Sequence, residues 1–190
     1  MRWVWWMVIL GCSPSAVEPG ADGATDGSGE VSSDPTDGST DGTDEAGRSG
    51  ETGRLEGITE AHNRVREALG IGDLTWDDEL AEVAGEWIAF LASDGCYLEH
   101  DYSSSYGENL YWSSFSATAE DVVQAWVSEV QFYDYDSNTC APGKMCGHYT
   151  QVVWEDTKRV GCELISCPDS SEIWMCVYDP PGNWVGEWPY

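Results

Sequence analysis

Three histidines, His62, His100 and His148, can change charge near neutral pH, and their neutral imidazoles are good ligands for divalent metals. His148 stands in "CGHYTQVVWEDTKRVGCEL", two residues after Cys146, and His100 follows "CYLE". A metal or acid–base site using His100 and His148, with carboxylates close by, is the chemistry these residues offer. His62 falls inside a periodic apolar segment and is expected to pack on its helix or bond a backbone group. No H-E-x-x-H, no G-x-S-x-G and no phosphate-cradling glycine loop is present, and cysteines paired as disulfides cannot act as nucleophiles.

The elements that must position these side chains can be read from periodicity. Ile58, Ala61, Val65, Ala68 and Leu69 predict a first helix over 55–69, ended by Gly70 and Gly72. Leu80, Val83, Ala84, Trp87, Ile88 and Leu91 predict a second over 77–92, capped by Asp77 or Thr75 and ended at Gly95. Thr118 and Asp121, in capping-box spacing, open a third over 119–132 that should bury Val122, Val123, Trp126 and Val130. Beyond it the period falls to two, so "YTQVVW", "RVGCELISC" and "EIWMCVY" read as strands. Helices followed by strands predict an α+β domain with an antiparallel sheet under helices. The tail "DPPGNWVGEWPY" is turn-rich and should not extend a central strand.

Composition divides the 190 residues into three parts. Residues 1–12, "MRWVWWMVILGC", read as a short export signal whose apolar run is well below the roughly 20 residues of a bilayer span. Its end resembles a bacterial lipobox, which makes Cys12 a candidate lipidation site. Residues 13–53 form an acidic Gly/Ser/Thr/Asp segment without an aromatic residue, which cannot bury enough apolar surface to order itself. Residues 54–190 hold all nine tyrosines and six of the seven cysteines. Cys96, Cys140, Cys146, Cys162, Cys167 and Cys176 behind an export signal predict three disulfides, with 15 pairings open. A formal net charge of −27 is the wrong sign for a nucleic-acid binder and should repel anionic membranes. Membrane contact is expected only through a lipid anchor.

"GHYTQVVWEDTKRVGC" and "CVYDPPGNWVGEWPY" strongly resemble the two signature motifs of the CAP superfamily, which comprises cysteine-rich secretory proteins, antigen 5 and pathogenesis-related-1 proteins. "AHNRVREALGIGDLTWDDELA", "CYLEH", "YGENLYW" and "AWVSEVQFYDYDSNTC" resemble its helix-one, helix-two, loop and helix-three segments in order, with the plant branch most similar. The resemblance implies an α–β–α sandwich with a three-stranded antiparallel sheet between helices. It also implies the pairing Cys96–Cys167, Cys140–Cys146 and Cys162–Cys176. By motif it places His100, Glu108, Glu129 and His148 around a central cavity. His100 and His148 would bind a divalent metal, zinc foremost, with Glu108 and Glu129 bonding its waters or orienting the imidazoles. The sequence departs from the family at Val177, where relatives commonly carry a polar residue.

The function expected from this resemblance is that of an exported or envelope-anchored, monomeric, non-enzymatic binding module with grooves for lipid or sterol-like molecules. The alternative is a metal-assisted hydrolase of peptides or envelope polymers that uses the same tetrad, His100, Glu108, Glu129 and His148, as catalytic groups.

Overall fold

The computed structural model describes residues 50–190. The export signal, Cys12 and the linker up to residue 49 lie outside the described residues. The linker's last acidic residue, Glu51, already belongs to the fold: its carboxylate accepts from the backbone N–H of Gly57 at 2.7 Å and Thr59 at 2.9 Å. A carboxylate at a helix start answers both the free N–H groups and the macrodipole. It fixes the start of helix α1, Ile58–Leu69, which ends at Gly70 in a left-handed conformation (φ 74°). The buried face of α1 differs from the apolar stripe read from the sequence. Ala68 is exposed and Leu69 is 37% exposed, whereas His62 and Arg66 are fully buried. Arg66 is tolerated because the carbonyls of Gly72, Val152, Trp154 and Thr157 accept from its guanidinium.

Strand β1, Thr75–Trp76, leads into α2, Asp78–Ser93, whose Asp77 side chain caps the N–H groups of Glu79 and Leu80. Leu80, Ala84, Ile88 and Leu91 form its buried face. Next come β2, Gly107–Ser113, and α3, Ala119–Val127, which begins with the expected Thr118–Asp121 capping box. The third helix is shorter than predicted. After Val127 the chain tightens into a 3-10 turn, Ser128–Phe132, and Val130 is exposed rather than buried. Tighter winding changes the angular spacing of side chains, so the apolar stripe cannot continue in register.

A hairpin of β3, Tyr133–Asp134, and β4, Thr139–Cys140, is followed by α4, Gly147–Val152. The "YTQVVW" segment is therefore not a strand: 149–152 are helical and the chain turns at Val153. Tyr149, Thr150, Gln151, Val152, Val153 and Trp154 are all buried. A short segment buried all round has no polar face to fix its period, and its apparent alternation carried no information. Strands β5, Arg159–Ser166, and β6, Glu172–Asp179, lie where the sequence placed them.

The main sheet runs in the order β1-β5-β6-β2. Its core is three-stranded and antiparallel, as the family resemblance implied, and β1 adds a short parallel pairing to β5. One face packs on α2 through Ile173, Met175 and Val177; the other packs on α1, α3 and α4 through Trp174, Cys176 and Tyr178. Gly161 lets α2 approach β5, since a Cβ there would lie 2.2 Å from the Ala81 nitrogen. The disulfides are Cys96–Cys167, Cys140–Cys146 and Cys162–Cys176, the pairing the resemblance implied.

Candidate functional site

His148 sits in the first turn of α4 and is locked from two directions. Its Nδ1 donates to Glu129 Oε1 at 2.7 Å. The other carboxylate oxygen accepts from the backbone N–H of His148 at 2.9 Å and of Tyr149 at 3.2 Å. Glu129 can do this because the 3-10 turn after α3 presents it to the start of α4. The Cys140–Cys146 bridge ties β4 to the residue just ahead of α4, two positions before His148. The His148 ring also stacks on buried Trp126, with centroids 6.5 Å apart and planes 20° apart.

His100 lies in the loop between α2 and β2 and is held in a parallel way. Its Nδ1 donates to Glu108 Oε2 at 2.9 Å, and the same oxygen accepts from the Asp101 N–H at 3.1 Å. The loop is anchored by Cys96–Cys167 and by the Trp87 Nε1–H, which donates to the Glu99 carbonyl at 2.7 Å. His100 is more open than His148, their side chains being 43% and 18% exposed. The "YGENLYW" segment, matched by resemblance to a loop, is the edge strand β2, and this places Glu108 opposite buried Val177.

The tetrad is thus arranged as two histidine–glutamate pairs. A carboxylate accepts at each Nδ1, so each neutral ring carries its proton there and presents a bare Nε2 lone pair. Among the described residues, no three His, Cys, Asp or Glu side chains converge into a ready-made metal cage. The donor types suit a divalent ion, since each pair offers an oriented imidazole, and Glu108 Oε1 is buried without a hydrogen-bond partner among the described residues. The valine facing Glu108 has no polar atom to offer that oxygen.

β2 is common to both halves of the site. Glu108 holds His100, while its neighbour Asn109 donates from Nδ2 to the backbone carbonyl of His148 at 3.1 Å. Asn109 also donates to the Tyr178 hydroxyl at 3.2 Å, and that hydroxyl lies 2.9 Å from His62 Nε2. Sequence reasoning did not find Asn109 or Tyr178. Their only trace was their place inside the quoted stretches "YGENLYW" and "CVYDPPGNWVGEWPY". His62 lies where expected, on α1, with Nδ1 2.7 Å from the Ile58 carbonyl.

The family model "CAP: Cysteine-rich secretory protein family" matches residues 59–178, a span that contains both pairs. The chain belongs to this family. Among curated relatives of the CAP domain, pathogenesis-related protein 1C of Nicotiana tabacum is 49% identical over 132 residues, covering 69% of this chain and 77% of that protein. Pathogenesis-related protein PR-1 of Medicago truncatula is 48% identical over 130 residues, covering 67% and 74%. Among solved structures, NaASP2, determined with Zn2+, aligns with a TM-score of 0.60 at 23% identity, covering 77% of this chain and 88% of that one. BmVAL-1 aligns with a TM-score of 0.61 at 21% identity, covering 75% and 84%. At such identities the structural likeness speaks to the fold. The relationship to the plant pathogenesis-related-1 branch rests on the sequence identities.

Proposed function

We propose that this CAP domain is an exported, non-enzymatic binding module in which His100 and His148 take a divalent cation, zinc being the best match to imidazole donors. The observation that carries this reading is the pairing of each Nδ1 with a glutamate, which leaves the unprotonated Nε2 of each neutral ring as the atom a metal would take. The buried, unpartnered Oε1 of Glu108 supports it, because a cation or its water would satisfy that oxygen. The zinc in the NaASP2 structure is consistent with it. A bound ion would supply a positive centre that attracts and polarises ligand oxygens in an otherwise acidic domain. The three disulfides suit an oxidising compartment, and the lipobox-like Cys12 suits attachment to a cell envelope.

A second reading, that the ligand is lipid or sterol-like, is favoured by the surface around His100. Leu98 and Tyr102 are 45% and 86% exposed, and Tyr97 and Tyr106 flank them on the same loop. A cleft of about 360 Å³ beside α4, bordered by Trp154, Asn183, Trp184 and Val185, is large enough for a small amphiphile.

The test is thermal unfolding of the protein with and without zinc, reversed by excess chelator, beside a His100→Ala/His148→Ala variant. Stabilisation by zinc that the variant loses supports the reading. Equal midpoints with and without zinc in the unmodified protein would overturn the metal part. Lipid affinity is then scored separately, by partitioning into neutral and sterol-containing vesicles.

A further inference from the structure

His62 is the one histidine that the site does not use. It is fully buried, and desolvation pushes its pKa down to about 4, so the ring is neutral at physiological pH. The neighbouring groups fix the direction of every hydrogen bond it joins. The Ile58 carbonyl can only accept, so Nδ1 carries the proton. Nε2 is then a bare acceptor, and the Tyr178 hydroxyl must donate to it. With its proton committed, the Tyr178 oxygen accepts from Asn109 Nδ2, whose remaining proton goes to the His148 carbonyl.

The Asn109 amide has no alternative orientation. Turning it over would set its oxygen against the His148 carbonyl and an already committed hydroxyl. The orientation has a cost, since Asn109 Oδ1 is left buried and unpartnered among the described residues. Tyr178 is fully buried, and Asn109 is 1% exposed. Asn109 stands opposite Cys176 on the sheet face that Tyr178 shares, so the register of β2 on β6 brings amide and hydroxyl together.

We infer that His62, Tyr178 and Asn109 form a one-directional hydrogen-bond relay that positions His148 by holding its backbone carbonyl from the sheet side, while Glu129 holds its N–H and ring from the other. All three are positioning residues: none reaches the open Nε2 of His148. The inference rests on the reading of His148 as a site residue. It concerns the metal-free protein, so it can be tested whether or not zinc binds.

The experiment follows the His148 imidazole nitrogen resonances and the His148 amide exchange rate in metal-free protein. The variants are Tyr178→Phe, Asn109→Leu, His62→Gln and His62→Leu, with Ile88→Val on α2 as a control for lost stability alone. Tyr178→Phe and Asn109→Leu should shift the His148 ring signals and speed its amide exchange by roughly tenfold, the scale of losing a single hydrogen bond. His62→Gln retains an acceptor for the tyrosine proton and a donor for Ile58, so it should stay near the unmodified protein, whereas His62→Leu should resemble Tyr178→Phe. His148 signals that are unchanged in Tyr178→Phe and Asn109→Leu, or that move equally in Ile88→Val, would overturn the relay. Absence of zinc binding together with shifted signals would overturn the metal reading and leave the relay standing.

Discussion

His148 Nδ1 and Glu129 Oε1 lie 2.7 Å apart, and the second oxygen of the same carboxylate takes the His148 and Tyr149 N–H groups. One side chain therefore fixes both the ring and the helix start that carries it. Replacing Glu129 by alanine strands two backbone donors and a ring N–H in a partly buried place. The expected cost is about 1–3 kcal/mol in urea unfolding. Glu129→Gln keeps one acceptor oxygen and should cost less. Equal stabilities of the two variants would contradict this role.

The buried His62 gives stability a defined pH dependence. Its folded pKa, about 4, is depressed below the ordinary 6.5 by burial. Below 6.5 the unfolded chain takes up a proton that the folded chain refuses, so stability falls as pH drops from about 6.5 to about 4 and this contribution then levels off. The full loss approaches about 3 kcal/mol. His62→Gln removes the proton-linked loss, so its stability relative to the unmodified protein should improve steadily over that range. Parallel pH profiles for the two proteins would contradict the assignment.

The sequence made the outer plan of the fold legible because three devices leave local marks. Asp77, the Thr118–Asp121 box and Gly70 punctuate the helices as their types require. Strands β5 and β6 were legible because the period falls to two there. What was misread depends on tertiary contacts. Arg66 is buried because carbonyls distant in sequence surround it, and no local pattern announces that. Segment 149–154 mimics a strand because it is buried all round. Val130 follows the helical stripe, but the turn that brings Glu129 to His148 breaks it. The four residues of the two histidine–glutamate pairs could be named from motif resemblance alone. Their division into two pairs, and the role of Asn109, required the strand register.

Arg66 supplies a further test of that point. Burial lowers its pKa to about 10, so it stays charged at neutral pH and meets its carbonyl partners as a cation. Arg66→Leu would leave the carbonyls of Val152, Trp154 and Thr157 short of a donor beside α4. We expect destabilisation of about 3–5 kcal/mol. A loss below about 1 kcal/mol by chemical denaturation would contradict a central structural role.

Val177 faces Glu108 across β6 and β2. Replacing it by asparagine should give Glu108 Oε1 a hydrogen-bond donor, and the new donor then competes with any cation for that oxygen. Val177→Asn is therefore expected to weaken zinc binding by about tenfold, the effect of about 1.4 kcal/mol. Unchanged or tighter zinc binding would show that Glu108 Oε1 takes no part.

The most direct test of the central claim is calorimetric titration of zinc into the disulfide-intact protein and into its His100→Ala/His148→Ala variant. Saturable binding near one zinc per chain is expected in the unmodified protein, and its loss in the variant. Equal heats in both, or none in either, would contradict the assignment of the two histidines as a cation site.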